Sequence, residues 1–362
     1  MTMRDLLRAP LRAPLRALLR ALLRALLHGP LRAPIRATRT CIAAIMLAGL
    51  GFAVHAAEPA PAVVRAGEPA AITPIELESG VYMLPGTGGE PDSTNQGRVG
   101  NAGFIVGPTG VLVIDTGTSY LHGRALLAAI RGVTDRPVKL VVITHTRQEF
   151  LFGAAAFREQ GIQVAMHKDA AGLMATRCDT CLKTLRTVLG DEAMRGTVMF
   201  KPDITFTDPL QLDAAVMIGR PIQLLYFGYS AGPGDIAVYD PRTRTLFAGG
   251  LLDSRRIPDV IDSDLPGWRD ALNTLQALPI ETIVPGHGPA GNKRIIAAVD
   301  RYLEELTTRA RALLQAGAPL SEVPDKLSLP DFASWDQYDI VHRRNAAVVY
   351  LRYEREQLIK QP

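Results

Sequence analysis

From residue 75 onward the chain alternates short apolar runs with polar, Gly- and Pro-rich turns, a pattern that predicts many short strands interrupted by helices. Residues 75–84 alternate and turn at Gly80, which predicts a hairpin, and residues 85–100 read as a Gly-rich polar loop. Strands are predicted over 102–106 and 111–114, the second ending in Asp115-Thr116-Gly117. An amphipathic helix over 121–130 leads to the apolar, β-branched run at 140–143, which reads as an interior strand. That strand delivers Thr144 and His145 into a short polar turn, and an Ala-rich helix begins near Ala154. The second half repeats the rhythm with strand 223–227, turn 232–235, strand 236–239, hairpin turn 240–243, strand 246–250 and helix 268–278. It closes on Ile283-Val284-Pro285-Gly286-His287-Gly288-Pro289. A long amphipathic helix over 293–316, ended by Gly317, a loop over 319–330 and a final helix over 338–357 follow. His342, Asn345, Tyr350 and Glu354 recur along that last helix and read as surface or packing positions.

With 362 residues, 47% of them hydrophobic and 21% charged, the chain can bury a full-sized globular core. Its net charge of +4 is misleading, because residues 1–56 hold nine Arg against the single acid Asp5 and carry +8, so the remainder carries −4. A basic nucleic-acid-binding surface is therefore not expected. The Arg-rich leader repeats Leu-Arg-Ala-Pro and Leu-Arg-Ala-Leu, is interrupted by Pro10, Pro14, Pro30 and Pro34, and reads as low complexity, with an amphipathic membrane-surface helix as the alternative. An apolar run over 41–54 and the small-residue site Val54-His55-Ala56 before Ala57 complete the order expected of a secretory signal peptide. The expected location is the periplasm, with no stable membrane span after cleavage, and an uncleaved inner-membrane signal anchor is the alternative. The organisation expected is leader and signal peptide at 1–56, a Pro- and Ala-rich linker at 57–74, a folded core at 75–290 and a C-terminal helical extension at 291–362.

Beyond Cys41 in the leader, the chain has two cysteines, Cys178 and Cys181. In an oxidising compartment a short-loop disulfide is expected, with a redox-active dithiol as the alternative. A structural zinc site would need further ligands, and His167 is the imidazole nearest in sequence.

Asp115-Thr116-Gly117, the Thr144-His145 strand end running to Gly153, Leu246-Phe247-Ala248-Gly249-Gly250 and Pro285-Gly286-His287-Gly288 together resemble the metallo-β-lactamase superfamily across residues 75–290. The resemblance implies an α/β fold, an αβ/βα sandwich of two similar halves with its site where strand ends of both halves meet. It also implies a signature loop T-H-x-H-x-D-H-x-x-G that holds one or two zinc ions. In this frame His145 is kept, Arg147 replaces the second His, Glu149 replaces Asp, and Phe150 replaces the third His. Ala231 occupies the slot of the second-half imidazole and Gly250 that of the bridging Asp, while His287 is kept. By the same resemblance Asp115 supports the metal loop from behind; from the residues alone a capping or turn carboxylate is the alternative. The segment Arg177-Cys178-Asp179-Thr180-Cys181-Leu182, with Asn101-Ala102-Gly103-Phe104, Arg256-Ile257-Pro258, Gly267-Trp268 and the Asn345 helix, is similar to a periplasmic branch called quinoprotein relay system zinc metallohydrolases. That likeness implies a quinoprotein dehydrogenase or its c-type cytochrome as partner.

His145, Glu149 and His287, joined by Asp253 three residues after Gly250, are the candidate metal ligands. Arg147 brings a permanent cation into the same volume, which disfavours a divalent ion there. The expectation is a degenerate site with no cofactor, in which Arg147 pairs with Glu149 or Asp253 and Phe150 fills the room vacated at Ala231 and Gly250. The chain is then a binding or accessory protein. The alternative is a hydrolase with one residual zinc, cleaving an ester, thioester or amide, with Asp115, Arg147 and Glu149 as catalytic candidates.

Overall fold

The computed structural model describes residues 71–208 and 217–360; the leader at 1–56 and most of the linker at 57–74 lie outside the described residues. One sheet contains, in spatial order, β1 (Ile75–Glu78), β2 (Val81–Leu84), β3 (Ala102–Val106), β4 (Val111–Ile114), β5 (Val138–Ile143), β6 (Val164–His167) and β7 (Ile204–Phe206). A second contains β8 (Gln223–Tyr226), β9 (Ile236–Asp240), β10 (Thr245–Gly249) and β11 (Thr282–Pro285). The α-helices are α1 (Tyr120–Val133), α2 (Gln148–Leu151), α3 (Ala154–Glu159), α4 (Lys168–Ala193), α5 (Leu265–Ala277), α6 (Arg294–Gln315), α7 (Val323–Lys326) and α8 (Arg343–Lys360). In the first half β2, β3 and β4 pair antiparallel, and β4 pairs parallel with β5 across α1. The second half repeats this with β8, β9 and β10 antiparallel and β10 parallel to β11 across α5. A parallel neighbour cannot be reached by a tight turn, so each helix is the required crossover.

The alternation of side chains along each strand builds the layers. Leu112, Ile114, Leu140 and Val142 meet Ile236, Val238, Phe247 and Val284 in one apolar layer between the sheets. Their sequence neighbours Val111, Val113, Val141 and Ile143 turn the other way, against Leu126, Ile130, Phe157 and Met174 of the first set of helices. On the outer face of the small sheet, Ala237, Tyr239, Leu246 and Ala248 pack with Trp268, Leu272, Tyr302, Leu306 and Val349. Each fully buried Val, Leu or Ile contributes roughly 1.5–3 kcal/mol over exposure. A one-residue slip of β4 or β5 would exchange the two sets, so the register is strongly specified. The result is an αβ/βα sandwich with a C-terminal helical extension. α8 is tied to the sandwich by Asn345, whose Nδ2 donates to the Pro258 carbonyl at 2.7 Å and to the Tyr302 hydroxyl at 3.0 Å. Tyr350 donates to the Ala318 carbonyl and His342 lies 3.0 Å from the Tyr302 hydroxyl, so these positions hold helices together.

Several elements differ from the sequence expectation. The expected turn after His145 contains the one-turn helix α2, and β6 and β7 are strands that the pattern does not single out. The segment around the cysteines is the 26-residue α4, broken only at Gly190, where φ is +82°. The expected disulfide is not present, since Cys178 and Cys181 are free thiols one turn apart on this helix. The physical reason is local: Cys178 is packed into the apolar cluster beneath α4, while Cys181 lies at its margin with its Sγ turned to the Arg177 carbonyl at 3.6 Å.

The two halves are pinned at the site end by Asn101. Its Nδ2 donates to the carbonyls of Pro285 at 2.9 Å and Gly288 at 2.8 Å, its backbone N–H donates to the Gly286 carbonyl at 2.7 Å, and its Oδ1 accepts from Gly86 N–H at 2.9 Å. A first-half carboxamide thus brackets the loop that presents His287. Each side-chain bond is worth on the order of 1 kcal/mol, and the buried carbonyls lose their partner if it is removed. Asn101→Ala is expected to lower stability by ~2–4 kcal/mol, read as a drop in the urea midpoint at unchanged slope.

Candidate functional site

β5 ends in Thr144 and His145, and β4 ends in Asp115, so the parallel pairing of the two strands sets these residues side by side. Asp115 has φ +60°, a left-handed conformation uncommon outside glycine but tolerated by aspartate. In that conformation Oδ1 accepts from Thr144 N–H and Oδ2 from the Thr144 hydroxyl, both at 2.8 Å. The Thr144 oxygen in turn lies 2.7 Å from Nδ1 of His145. Since the hydroxyl proton goes to Asp115, the imidazole carries its proton on Nδ1, and Nε2 is left as a buried lone pair with no hydrogen-bond partner among the described residues. Burial pushes the Asp115 carboxyl up to about 7, against the two Thr144 bonds that pull it down. Burial and the nearby Arg147 cation push His145 down to about 3, so it is neutral at physiological pH.

His287 comes from the loop after β11 and is enclosed by two carboxylates. Its Nδ1 is 2.8 Å from Asp253 Oδ1 and its Nε2 is 3.2 Å from Glu149 Oε1, the latter too far off axis for a well-directed hydrogen bond. Burial opposes the imidazolium, but Asp253 and Glu149 outweigh it and raise the His287 pKa. The same attraction holds Asp253 low and Glu149 down at about 2, each against the opposing effect of burial. Between the two imidazoles lies the ring of Phe150, with centroids 4.4 Å from His145 and 5.1 Å from His287. Phe150 is fixed from behind by Gly100, where even a Cβ would stand 2.5 Å from its ring. Gly250 is equally constrained, because a Cβ there would lie 2.8 Å from Asp235 and 2.9 Å from the His145 ring.

In front of this cluster is a cavity of about 290 Å³. The structure brings His145, Arg147, Glu149, Cys178 and Cys181 to its wall, while Asp115 stands behind Thr144 and Asp253 and His287 stand behind Phe150. The expected pairing of Arg147 with Glu149 or Asp253 is corrected. Its Nη2 donates to the Asp259 carbonyl at 3.3 Å, and both acids engage His287 instead, because an imidazole that holds a proton between them sits closer than the guanidinium can. Asp259, Asp253, Glu149 and Asp235 act on Arg147 at longer range and, against burial, raise its pKa. The other arginines of the cavity have carboxylate partners: Arg177 with Asp262, Arg256 with Asp336 and Glu90, Arg344 with Asp259. Arg344 brings α8 to the site, a contribution that sequence spacing over 85 residues could not reveal. Asp235, at the start of β9, is the other residue that the sequence reading missed as part of the site. It is buried beside Gly250, and burial pushes it up to about 7 while Arg147 pulls it down.

A zinc ion needs three or four donors converging at about 2.0–2.3 Å. Among the described residues no group of three or more His, Cys, Asp or Glu side chains converges in that way. The Nε2 of His145 is without a hydrogen-bond partner among the described residues, but the Phe150 ring stands between it and His287, whose own Nε2 faces Glu149 at 3.2 Å. The residues present do not fit a zinc centre.

The pKa of Asp235 has a consequence for stability. A buried carboxyl raised from 3.8 to about 7 binds its proton more tightly in the folded state, so its ionisation removes stability progressively as pH rises from about 4 to about 7. Asp235→Asn keeps the shape without the charge. Its advantage over the parent is expected to open across that window and level off above it at on the order of 2–4 kcal/mol, measured by denaturant titration at a series of pH values.

Residues 95–287, more than half of the chain, match the profile of the Metallo-beta-lactamase superfamily. A linear primary-alkylsulfatase of Pseudomonas sp. (strain ATCC 19151) is 26% identical over 268 residues, covering 63% of this chain and 49% of that protein. The 2,4-dinitroanisole O-demethylase subunit alpha of Nocardioides sp. (strain JS1661) is 24% identical over 224 residues, covering 61% and 62%. The chain therefore spans about half to three-fifths of the curated relatives it matches. Among solved structures, a metallo-beta-lactamase from Pontibacter korlensis superposes with a TM-score of 0.53 at 23% identity over 64% of this chain and 99% of its own. The metallo-beta-lactamase FIM-1 from Pseudomonas aeruginosa, in its mono-zinc form, does so at 0.51 and 18% over 67% and 98%. These structural likenesses agree with the two-sheet topology, and the family profile, matched over more than half of the chain, shows that it belongs to the metallo-β-lactamase superfamily.

Proposed function

We propose that this chain works without the dinuclear zinc centre and uses the cavity before His145 to bind a small organic anion, as a binding or accessory protein. The observation that carries the proposal is the Phe150 ring, held by Gly100 between the imidazoles of His145 and His287, where converging metal ligands would have to meet. Arg147 supports the choice of ligand charge. It is the cavity arginine with no carboxylate oxygen in ion-pair contact among the described residues, so an incoming carboxylate or sulfate would complete its coordination. The partner we propose is a quinoprotein dehydrogenase or its c-type cytochrome in the periplasm, supported by the branch motifs and the leader in the sequence. A second reading is a hydrolase with one residual zinc. It is favoured by the unpartnered Nε2 of His145 and by the likeness to a linear primary-alkylsulfatase.

Elemental analysis of the full chain, purified without chelators or a His-rich tag, separates the two. Far less than one zinc per chain, with no thermal stabilisation on adding zinc, is the expected result. About one zinc per chain that disappears in His287→Ala would overturn the proposal. A packing role for Phe150 also predicts that Phe150→Ala destabilises the chain by ~3–5 kcal/mol, as for other large buried side chains, measured by urea denaturation.

A further inference from the structure

Cys178 and Cys181 are nucleophiles on the cavity wall that the proposed function does not use. α4 sets them three positions apart, which on a regular helix places their Cα atoms about 5 Å from each other. That separation lies inside the roughly 4.4–6.8 Å that a disulfide spans, so the pair can close with modest adjustment. The two thiols differ in access: Cys178 is 1% exposed and packed against the apolar cluster, whereas Cys181 is half-buried at the cavity. They also differ in charge. The Cys181 Sγ lies 3.6 Å from the Arg177 carbonyl, and the adjacent Cys178 thiol, against burial, pushes Cys181 down to about 7. The neighbouring Cys181, with burial, pushes Cys178 up. Arg177, one turn earlier on α4, adds a favourable field, and Glu149 across the cavity opposes it. A thiol that ionises near neutrality attacks well, and a neighbouring protonated thiol is suited to follow it.

We propose that Cys178 and Cys181 form a thiol–disulfide exchange site in this cavity, taking small organic disulfides, with Cys181 attacking and Cys178 resolving. In the first step the Cys181 thiolate sulfur bonds to one sulfur of the disulfide, the substrate S–S bond breaks, and one thiolate leaves and takes a proton from solvent. In the second, Cys178 gives up its proton and its sulfur attacks that of Cys181. The remaining thiolate is expelled and takes that proton. The two protein thiols are oxidised to a disulfide while the substrate is reduced to two thiols, so no metal or further oxidant enters. A cavity of about 290 Å³ suits a low-molecular-weight disulfide rather than a folded partner. The proposal is independent of the metal content of the site.

The test uses reduced full-length chain and 2-hydroxyethyl disulfide at neutral pH, with peptide mapping by mass spectrometry so that Cys41 is scored separately. The parent is expected to form a Cys178–Cys181 disulfide with no retained adduct, and Cys178→Ser to stop at a mixed disulfide on Cys181. Cys181→Ser should react at Cys178 at least about tenfold more slowly, because that thiol is covered. Equal rates in the two variants, or a pair that stays reduced in the folded chain yet reacts in urea, would overturn the proposal. Should either variant fail to fold, early time points of the parent decide. An adduct first seen on Cys181 supports the assignment, and one first seen on Cys178 refutes it.

Discussion

The apolar layer between the two sheets is the constraint from which the site follows. Leu112, Ile114, Leu140 and Val142 must face Ile236, Val238, Phe247 and Val284, and that requirement fixes the register and depth of every strand on which a site residue stands. Once β4 and β5 are held there, Asp115 and Thr144 are adjacent and the imidazole of His145 is oriented through the Thr144 hydroxyl. Once β10 and β11 are held there, Asn101 can reach the loop of His287 from the other half. The polar contacts are therefore consequences of apolar packing, and they refine positions that the strands have already set.

At the strand ends the same scaffold gathers buried charges of both signs. Charge is balanced within the protein, by an imidazole raised in pKa between Asp253 and Glu149 and by a guanidinium that several carboxylates surround at longer range. An uncharged aromatic ring occupies the centre of the cluster, where Gly100 leaves it room and Gly250 leaves none for a longer side chain. The large residue at 150 and the small one at 250 thus pack together around the two imidazoles. The cavity in front keeps a cation, a neutral imidazole with a free lone pair, and two thiols on a separate wall.

The C-terminal extension has a part in this arrangement. α8 holds the loop that includes Pro258, Asp259 and Val260 through Asn345 and Arg344, while Arg352 donates to the carbonyls of Val260, Ile261 and Ser263. That loop supplies the carbonyl that receives Arg147. A distant helix therefore positions the wall opposite the signature loop, and the extension and the sandwich share one apolar cluster through Tyr302, Phe332 and Val349.

Much of the fold is legible in the chain itself. The alternation of residues 111–114 and 140–143 and the repeat of strand, turn and crossover helix in both halves follow from sequence, because side-chain period and turn chemistry are local properties, while His145 and His287 stand out through the resemblance to the family motifs. Short β6 and β7 are not legible, since three- and four-residue strands carry too little pattern to be separated from their surroundings. The resemblance also named Arg147, Glu149, Phe150, Ala231 and Gly250 as positions that depart from the motif and Asp253 as a further carboxylate, but not how they pair. Only the tertiary structure decided that Asp253 and Glu149 meet His287 rather than Arg147, that Phe150 enters between two imidazoles, and that Asp235, Arg344 and the two thiols share one cavity. The physical reason is distance along the chain: contacts between residues tens to hundreds of positions apart depend on how sheets and helices pack, and no local pattern encodes which of several compatible partners comes nearest.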